Sequence, residues 1–347
     1  MRIFVYEFIS GGGGWSQDGG AVPAGSLLVE GEAMLRALVA DLAATRGTKV
    51  CTTRDVRLGA AMGGDIEVQA VDSPAAEREA ISRLAACADG TILIAPETDG
   101  LLLDRARWVV EAGGRLLSPG CAAITLSSDK QKTGEWLAER GVRVPQGSLW
   151  QLGELPPIAR LPVVIKPVDG CGSQGVRLIS TPADLTTMKA NKPLRMEQFV
   201  PGQSASVAIL CGAGRPVALP ACAQQLSSEG RFSYLGGRTP LAPALNERAR
   251  TLALRVVNCL PQTTGYIGVD LVLGQSPDGD DDFVIEINPR LTTSYVGLRA
   301  ACRENLAGAM LAVALGERPA LSWRDEIVQF TADGRVQITP FREADAP

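Results

Sequence analysis

The chain contains no histidine among its 347 residues. This absence excludes catalytic triads and dyads built on an imidazole, as well as zinc, iron or copper sites with histidine ligands. Any catalysis must therefore use carboxylates, lysines, arginines, hydroxyls, thiols or a bound ion. The sequence also lacks a run of basic residues, and 34 lysines and arginines against 38 acidic residues give a net charge of −4. A general binder of nucleic acid or anionic membranes would show the opposite balance.

Long apolar runs and clustered cysteines are missing as well. No stretch reaches the ~18 consecutive apolar residues that a membrane span requires, and Glu7 interrupts the apolar start that a secretory signal would need. The eight cysteines include no C-x-x-C pair, a usage typical of reduced thiols in the cytosol. We therefore expect a cytoplasmic protein with no membrane partner and no nucleic-acid partner.

Strand and helix patterns alternate along the first third of the chain. Residues 2–9, RIFVYEFI, are rich in β-branched and aromatic types and end at four glycines, and leucines at helical spacing follow over 26–46. The same alternation predicts further strands over 48–53, 91–95 and 115–117 and helices over 74–88 and 101–113. Such alternation builds a doubly wound parallel α/β sheet, which we place in a first domain over 1–118.

The remainder of the chain predicts two units with antiparallel sheets, over residues 119–194 and 195–347. Helices are predicted over 127–140, 182–189, 244–259 and 298–315. Strands are predicted over 163–166, 176–178, 195–200, 204–211, 215–219, 265–273, 283–288, 327–331 and 336–339. The Asp333-Gly334 pair indicates a tight turn between the last two strands.

The most informative segment is GVDLVLGQSPDGDDDFVIEINPR, residues 268–290. A hairpin folded about residue 278 places Asp270 opposite Glu286, and Asn288 shares their face because side chains alternate along a strand. These three oxygen ligands suit Mg²⁺ or Mn²⁺, and a cation would relieve the repulsion between buried acids. The opposite face would carry the apolar residues Val269, Leu271, Leu273, Phe283, Ile285 and Ile287. The alternative is a polar outer sheet face whose acids have no ligand.

A second segment, LPVVIKPVDGCGSQGV over 161–176, delivers Lys166 on a strand and then a glycine-rich loop. Gly170 and Gly172 let backbone N–H groups approach phosphate oxygens, and Ser173 adds a hydroxyl donor. The G-x-x-x-x-G-K-[ST] order of a P-loop is absent. A plain hairpin is the alternative reading of this segment taken alone.

Two further segments point to a nucleotide. In MEQFVPG the backbone groups of Gln198 and Val200 can face a planar base, with Glu197 accepting from an exocyclic amine; an exposed strand is the alternative. Lys130 lies in the first turn of a predicted helix, where a cation is mildly disfavoured unless a phosphate binds nearby.

Taken in this order, the motifs resemble the ATP-grasp superfamily over roughly residues 118–300, with the preceding α/β region resembling its pre-ATP-grasp domain. The resemblance implies a two-lobed fold that closes on ATP. It also implies that Lys130 and Lys166 hold phosphates, that Glu197 and the backbone near Val200 hold adenine, and that the hairpin acids hold two magnesium ions. Ser204 stands where many members carry a ribose-binding glutamate, and Gly268 stands where some D-alanine ligase relatives carry an arginine. We therefore assign Arg290 to the transferred phosphate.

A narrower resemblance concerns FVYEFISGGG near the start and EINPRLTTSYVGL over 286–298, which look like the tyramine–glutamate ligases of methanofuran biosynthesis and their methylofuran-pathway counterparts. Four substrate-binding candidates accompany it: Gly12 and Gly13 in a loop at a strand's C-terminal end, Arg238 for a substrate carboxylate, and Thr293. For the glycines and Arg238 a solvated surface loop is the alternative.

The resulting hypothesis is an ATP-dependent carboxylate–amine ligase that works through an acyl phosphate on small-molecule substrates. Glutamate with tyramine or a tyrosine-like amine is the pair that the narrower resemblance implies, and the assembly could be a homodimer. An ATP-grasp kinase, another amino-acid ligase of D-alanine ligase type, and a nucleotide-binding scaffold without turnover remain as alternatives. A Rossmann dehydrogenase is disfavoured because the early glycines lack G-x-G-x-x-G spacing.

Overall fold

The computed structural model describes residues 1–17, 19–59, 63, 66–154, 160–186, 188 and 192–340. Part of the helix predicted over 182–189 lies outside these residues. No described helix combines the length and hydropathy needed to cross a bilayer.

The N-terminal part is a four-stranded parallel sheet with helices on both faces, as predicted. Its elements are β1 Arg2–Glu7, α1 Ser26–Ala44, β2 Lys49–Asp55, β3 Glu67–Val71, α2 Pro74–Cys87, β4 Gly90–Ile94 and α3 Leu101–Glu111, with the strand order β3-β2-β1-β4. Alternate residues of β1 face opposite cores, because Ile3 and Val5 pack with α1 while Phe4 and Tyr6 pack with α2 and α3. The sheet is therefore buried on both sides.

A small antiparallel sheet follows a pair of helices. The elements are α4 Cys121–Ser127, α5 Lys130–Glu139, β5 Gly147–Trp150, β6 Val163–Pro167, β7 Arg177–Ile179, α6 Pro182–Thr186 and β8 Leu194–Gln198, with the strand order β5-β8-β6-β7. Asp129 caps α5 by accepting the N–H groups of Gln131 and Lys132. Central strands β6 and β8 thus hold Lys166 and Glu197 side by side.

The C-terminal part is a larger antiparallel sheet. Its elements are β9 Gln203–Cys211, β10 Val217–Ala218, β11 Cys222–Leu226, β12 Tyr234–Thr239, α7 Pro243–Asn258, β13 Gly265–Leu273, β14 Phe283–Asn288, α8 Ser294–Ala301, α9 Leu306–Ala314, β15 Ile327–Thr331 and β16 Val336–Thr339. The strand order is β14-β13-β9-β11-β12-β15-β16, and β10 pairs with β9. Helix α7 covers one core of this sheet, and α8 and α9 join the core that includes α1.

Several predicted elements differ from the observed ones. The single helix predicted over 298–315 is wrong: α8 ends at Ala301, and Asn305 starts α9 by accepting the N–H of Gly308. The strand predicted over 115–117 contributes only an isolated bridge between Leu116 and Thr91. Strands β3, β5, β11 and β12 were not predicted, because their residues are partly exposed and carry a weak apolar pattern.

Candidate active site

The acidic hairpin forms with the predicted register at its key pair. Asp270 of β13 lies directly opposite Glu286 of β14, and Asn288 lies opposite Gly268. A β-bulge follows, because Leu271 pairs with Val284 and leaves Ile285 without a partner. The bulge thus changes which residues of β14 face the core beyond Glu286.

The predicted apolar face is wrong at Phe283 and Ile285, because the bulge turns Val284 rather than these two residues into the core. Val284 and Ile287 enter the core with only 2% and 1% of their surface exposed, whereas Ile285 turns toward the cleft. Phe283 pairs with Val272, which also lines the cleft. The extra residue lets Glu286 and Ile285 both face the cleft while the core stays closed.

The hairpin ligands are held in a network of amide donors. Asn288 Nδ2 donates to Asp270 Oδ2 at 3.0 Å, and Gln224 Nε2 donates to Asp270 Oδ1 at 2.9 Å. Burial and, to a smaller extent, the neighbouring charge of Glu286 together raise the pKa of Asp270 to about 7. A cation bound beside Asp270 would stabilise the ionised form of its carboxylate.

The donor set fits a hard divalent cation. Two carboxylates and the amide oxygen of Asn288 supply hard oxygen ligands of the type that Mg²⁺ and Mn²⁺ take in proteins. The part of the chain that the structure describes holds no group of three or more His, Cys, Asp or Glu side chains placed to bind a metal. Asn288 could supply the third protein ligand, and water or phosphate oxygens would complete the shell.

The two predicted phosphate lysines reach the acidic hairpin from different elements. Lys130 of α5 donates to the Gly170 carbonyl at 2.7 Å and pairs with Glu286 Oε1 at 2.8 Å. Lys166 of β6 pairs with Glu197 Oε1 at 2.6 Å and donates to the Ile285 carbonyl at 3.3 Å. Both ammonium groups are thus buried and lie against β14.

Glu197 is neutralised by two cations. Its Oε2 lies 2.9 Å from Arg195 Nε, in addition to the Lys166 contact on Oε1. The carboxylate is therefore engaged on both oxygens, and its predicted contact with an exocyclic amine stays a prediction. Gln198 and Val200 line the cleft beside it, and Phe199 stacks on Phe232 with ring centroids 6.4 Å apart.

The glycine-rich loop contains two adjacent residues in the left-handed region of φ/ψ space. Gly172 has φ +61° and the adjacent Ser173 has φ +58°, the left-handed region in which a non-glycine residue is uncommon. Both residues line the cleft, whereas Gly170 contributes its carbonyl to Lys130. The loop therefore presents Ser173 to the cleft at a conformational cost, which is common at functional sites.

One cleft of about 400 Å³ collects most of the predicted residues. Those that line it are Lys166, Gly172, Ser173, Glu197, Gln198, Val200, Ser204, Asp270, Glu286, Asn288, Arg290 and Thr293. Its volume lies in the range of small-molecule sites. The cleft thus places opposite charges on its walls, acids on the hairpin and cations on β6 and at Arg290.

Three predicted substrate residues do not line this cleft. A side chain at Gly12 would meet Val71 at 2.4 Å, and one at Gly13 would meet Phe8 at 2.3 Å. These glycines therefore allow close packing beside β1 rather than contact with a ligand. Arg238 lies on β12 with its side chain exposed.

Arg290 is held by a residue that the sequence reasoning missed. Its Nε lies 3.0 Å from Glu97 Oε1, and Glu97 is only 4% exposed. The contact is a charge pair without an aligned hydrogen bond, since neither Glu97 oxygen has a hydrogen-bond partner among the described residues. Burial raises the pKa of Glu97, and Arg290 opposes that shift. The position of Glu97 after β4, at the C-terminal edge of a parallel sheet, is the signal that could have found it.

We expect Glu97→Gln to lower the free energy of unfolding by about 3 kcal/mol, because Arg290 would remain buried without its counter-charge. Urea denaturation monitored by circular dichroism measures the change. The matched control is Glu111→Gln, since Glu111 pairs with Arg78 at 3.7 Å on an exposed surface and should change stability by less than about 0.5 kcal/mol. Identical urea midpoints for both variants and the wild type would show that the pair does not stabilise the fold.

Other cleft residues were also missed. Glu30, Gln224, Phe232 and Tyr234 line it from α1, β11, the segment before β12 and β12. Tyr234 lies in the run SYLGGRTP, 233–240, which fits the tyramine–glutamate ligase resemblance, but only the folded chain brings these four residues to one cleft.

Comparison with known proteins agrees with this geometry. Residues 127–294 match the ATP-grasp domain family, and residues 48–124 match the pre ATP-grasp 3 domain family. A tyramine–L-glutamate ligase from Methanocaldococcus fervens is 26% identical over 211 residues, which cover 61% of this chain and 62% of that protein. For a second such ligase, from Methanocaldococcus jannaschii, the identity is 25% and the shares are 61% and 58%. The chain thus spans about three fifths of the length of these curated relatives.

Solved structures share the fold. An ATP-grasp superfamily protein from Archaeoglobus fulgidus superposes with a TM-score of 0.70 at 23% identity, covering 95% of this chain and 92% of the other. An L-amino acid ligase from Bacillus licheniformis superposes with a TM-score of 0.69 at 16% identity, covering 94% and 78%. At these identities the likeness concerns the fold alone.

Proposed function

We propose that this chain, which belongs to the ATP-grasp superfamily and carries a pre-ATP-grasp domain ahead of its ATP-grasp domain, is an ATP-dependent carboxylate–amine ligase. The observation that carries the proposal is the charge arrangement of the cleft. Asp270, Glu286 and Asn288 face it from the hairpin, while Lys166 faces it from β6 and Arg290 from the segment directly after β14. This is the arrangement that a polyphosphate with its cation requires.

The reaction begins with attack of a substrate carboxylate oxygen on the γ-phosphorus of ATP. The bond from that phosphorus to the β–γ bridging oxygen breaks, ADP leaves, and an acyl phosphate forms. The amine nitrogen then attacks the acyl carbon, the carbon–oxygen bond to phosphate breaks, and the nitrogen loses its proton as phosphate departs. Each step needs positioning and charge neutralisation rather than an imidazole.

Cationic and hydroxyl side chains of the cleft could position the phosphates and neutralise their charge. Lys166, Ser173 and Arg290 line the cleft where the phosphates would lie, and Lys130 can exchange its contact with Glu286 for a phosphate oxygen. Asp270, Glu286 and Asn288 would hold divalent cations, whose charge neutralises the β- and γ-phosphate oxygens when bound. Phe199, Phe232 and Val200 give the cleft an apolar wall suited to a base.

The finer assignment of substrates rests on the similarity to tyramine–L-glutamate ligases. We propose glutamate as the carboxylate and tyramine or a tyrosine-like amine as its partner. Another amino-acid pair is the alternative, and the fold shared with the Bacillus licheniformis L-amino acid ligase makes such pairs worth testing.

The test is a panel of carboxylates, glutamate first, crossed with amines that include tyramine and tyrosine. We expect ADP release that requires both substrates, an amide product by mass spectrometry, and an acyl hydroxamate when hydroxylamine replaces the amine. Release of ADP without an amine, together with a stable phosphorylated product, would instead identify a kinase. ATP binding without any turnover across the panel would contradict the ligase proposal.

A further inference from the structure

Glu30 brings a carboxylate from the N-terminal part of the chain into the cleft. It lies on α1, and its Oε1 accepts a hydrogen bond from the Thr293 hydroxyl in the segment that follows β14. Glu30 and Thr293 both line the cleft, together with Thr292, Ser294 and the ring of Tyr234. This wall is therefore made of one carboxylate and several hydroxyl groups.

Glu30 differs from Glu197 and Glu286 because those two carboxylates form salt bridges. Glu197 pairs with Lys166 and Arg195, and Glu286 pairs with Lys130. In the described parts of the chain Glu30 takes part in no salt bridge, and its hydrogen bond is to a neutral hydroxyl. Arg290, the cleft guanidinium, makes its salt bridge with Glu97, and the charge of Glu30 acts on Arg290 without such a contact. A carboxylate in this setting attracts a cation from the ligand.

Helix α1, which carries Glu30, is held against the segment after β14 by further contacts. Further along α1, Asp41 Oδ2 accepts from the Tyr295 hydroxyl at 2.6 Å and from Arg299 Nε at 2.8 Å. Tyr295 is fully buried, and it directly follows the Thr292–Ser294 segment. These contacts hold α1 against the segment that carries Thr293, and such preorganisation lowers the entropic cost of binding a small cation.

We propose that Glu30 and Thr293 form a subsite for a substrate ammonium group. Its charge complements the carboxylate, and its three N–H donors match the oxygens of Glu30 and the neighbouring hydroxyls. The inference rests on the ligase function proposed above and adds a recognition element to it. The ammonium group belongs either to the amine substrate or to the α-amino group of an amino-acid carboxylate, and the experiment separates these sources.

The test compares the wild type with Glu30→Gln, Glu30→Asp and the matched control Glu32→Gln. Glu32 lies on the same helix, but its carboxylate pairs with Arg54 and Arg36 and does not line the cleft. Loss of one charged hydrogen-bond partner predicts a KM increase of about 10- to 100-fold for the ammonium substrate in Glu30→Gln. Glu30→Asp should recover part of that loss, whereas the KM for ATP should stay within about twofold in all variants.

Two arms identify which substrate carries the ammonium group. In the first arm hydroxylamine, uncharged at pH 8, replaces the amine, and the KM of glutamate is compared with that of glutarate. If Glu30 binds the α-ammonium group, only the KM of glutamate rises in Glu30→Gln. In the second arm tyramine is varied at saturating carboxylate; if Glu30 binds the amine substrate, the KM of tyramine rises and hydroxamate formation is unchanged.

Calorimetry keeps the inference testable if the ligase function fails. Glutamate and tyramine are titrated into the wild type and Glu30→Gln, each loaded with Mg²⁺ and a non-hydrolysable ATP analogue. Weaker binding of one ammonium compound to Glu30→Gln supports the subsite even if the wild type forms no hydroxamate or amide. Equal affinities in calorimetry, or KM values that rise equally for ATP and both substrates, would overturn the inference.

Discussion

Replacing Asp270 by asparagine is expected to lower amine-dependent ADP release by about 10³-fold or more, because one charged ligand for the phosphate-bound cation is lost. Asparagine keeps the size of the side chain, and its carbonyl oxygen can still accept one of the hydrogen bonds that Asn288 and Gln224 donate to Asp270. Burial raises the pKa of Asp270 to about 7, so the substitution also removes an unfavourable charge from the cation-free protein. We therefore expect a folded variant that lacks activity.

The measurement is ADP release with and without amine, over a range of Mg²⁺ and Mn²⁺ concentrations. Glu286→Gln should lose activity to a similar extent, since its carboxylate lies opposite Asp270. The matched control is Asp280→Asn in the exposed part of the same hairpin, where the side chain pairs with Arg143 at 3.5 Å. Partial recovery of Asp270→Asn at high metal concentration would support a metal-binding role. Near-normal activity of both Asp270 and Glu286 variants would exclude the mechanism.

The second large effect is expected for Arg290. Removing its guanidinium should lower kcat by about 10²- to 10³-fold, because a cation aimed at the transferred phosphate acts most strongly in the transition state. The KM for ATP should change by only a few fold, since Lys130 and Lys166 remain. Arg290→Met alone would leave Glu97 buried without its partner, so the informative protein is the double variant Glu97→Gln/Arg290→Met. Replacing both members of a buried pair often leaves stability unchanged.

Single-turnover kinetics and the urea midpoint together decide this prediction. A double variant that folds like the wild type but transfers phosphate slowly supports the role of Arg290 in the chemistry. The control Arg78→Met removes an exposed arginine whose partner Glu111 lies 3.7 Å away, and it should behave as the wild type. A double variant with wild-type kcat would assign Arg290 to stability alone.

Gly268 illustrates how the structure explains a departure from relatives. The sequence resemblance implies an arginine here in some D-alanine ligase relatives, but a side chain on Gly268 would meet Thr292 Cγ2 at 2.8 Å. The Thr292 hydroxyl in turn contacts Tyr266 and Ser294. The hydroxyl-rich wall around Thr292 therefore requires a small residue at position 268. The guanidinium that lines the cleft belongs to Arg290.

The sequence by itself determined the features that depend on near neighbours in the chain. The pairing of Asp270 with Glu286 followed from strand alternation and a hairpin folded about residue 278, and the glycine-rich loop that carries Ser173 followed from its sequence. The alternation of strands and helices likewise predicted the parallel sheet of the first domain. Local propensity and periodicity control such features, so they can be recognised without knowing how the chain folds.

Tertiary structure alone decided which distant residues meet. The bulge at Ile285 depends on how β14 packs over the core, and the roles of Gly12 and Gly13 depend on Val71 and Phe8. Glu97 reaches Arg290, and Glu30 reaches Thr293, from segments about two hundred or more positions away in the chain. Such contacts follow from strand order and from which helix faces pack together, so no local pattern encodes them. These contacts place the Glu97 carboxylate beside Arg290. They also bring Glu30 into the cleft, where it has no salt-bridge partner among the described residues.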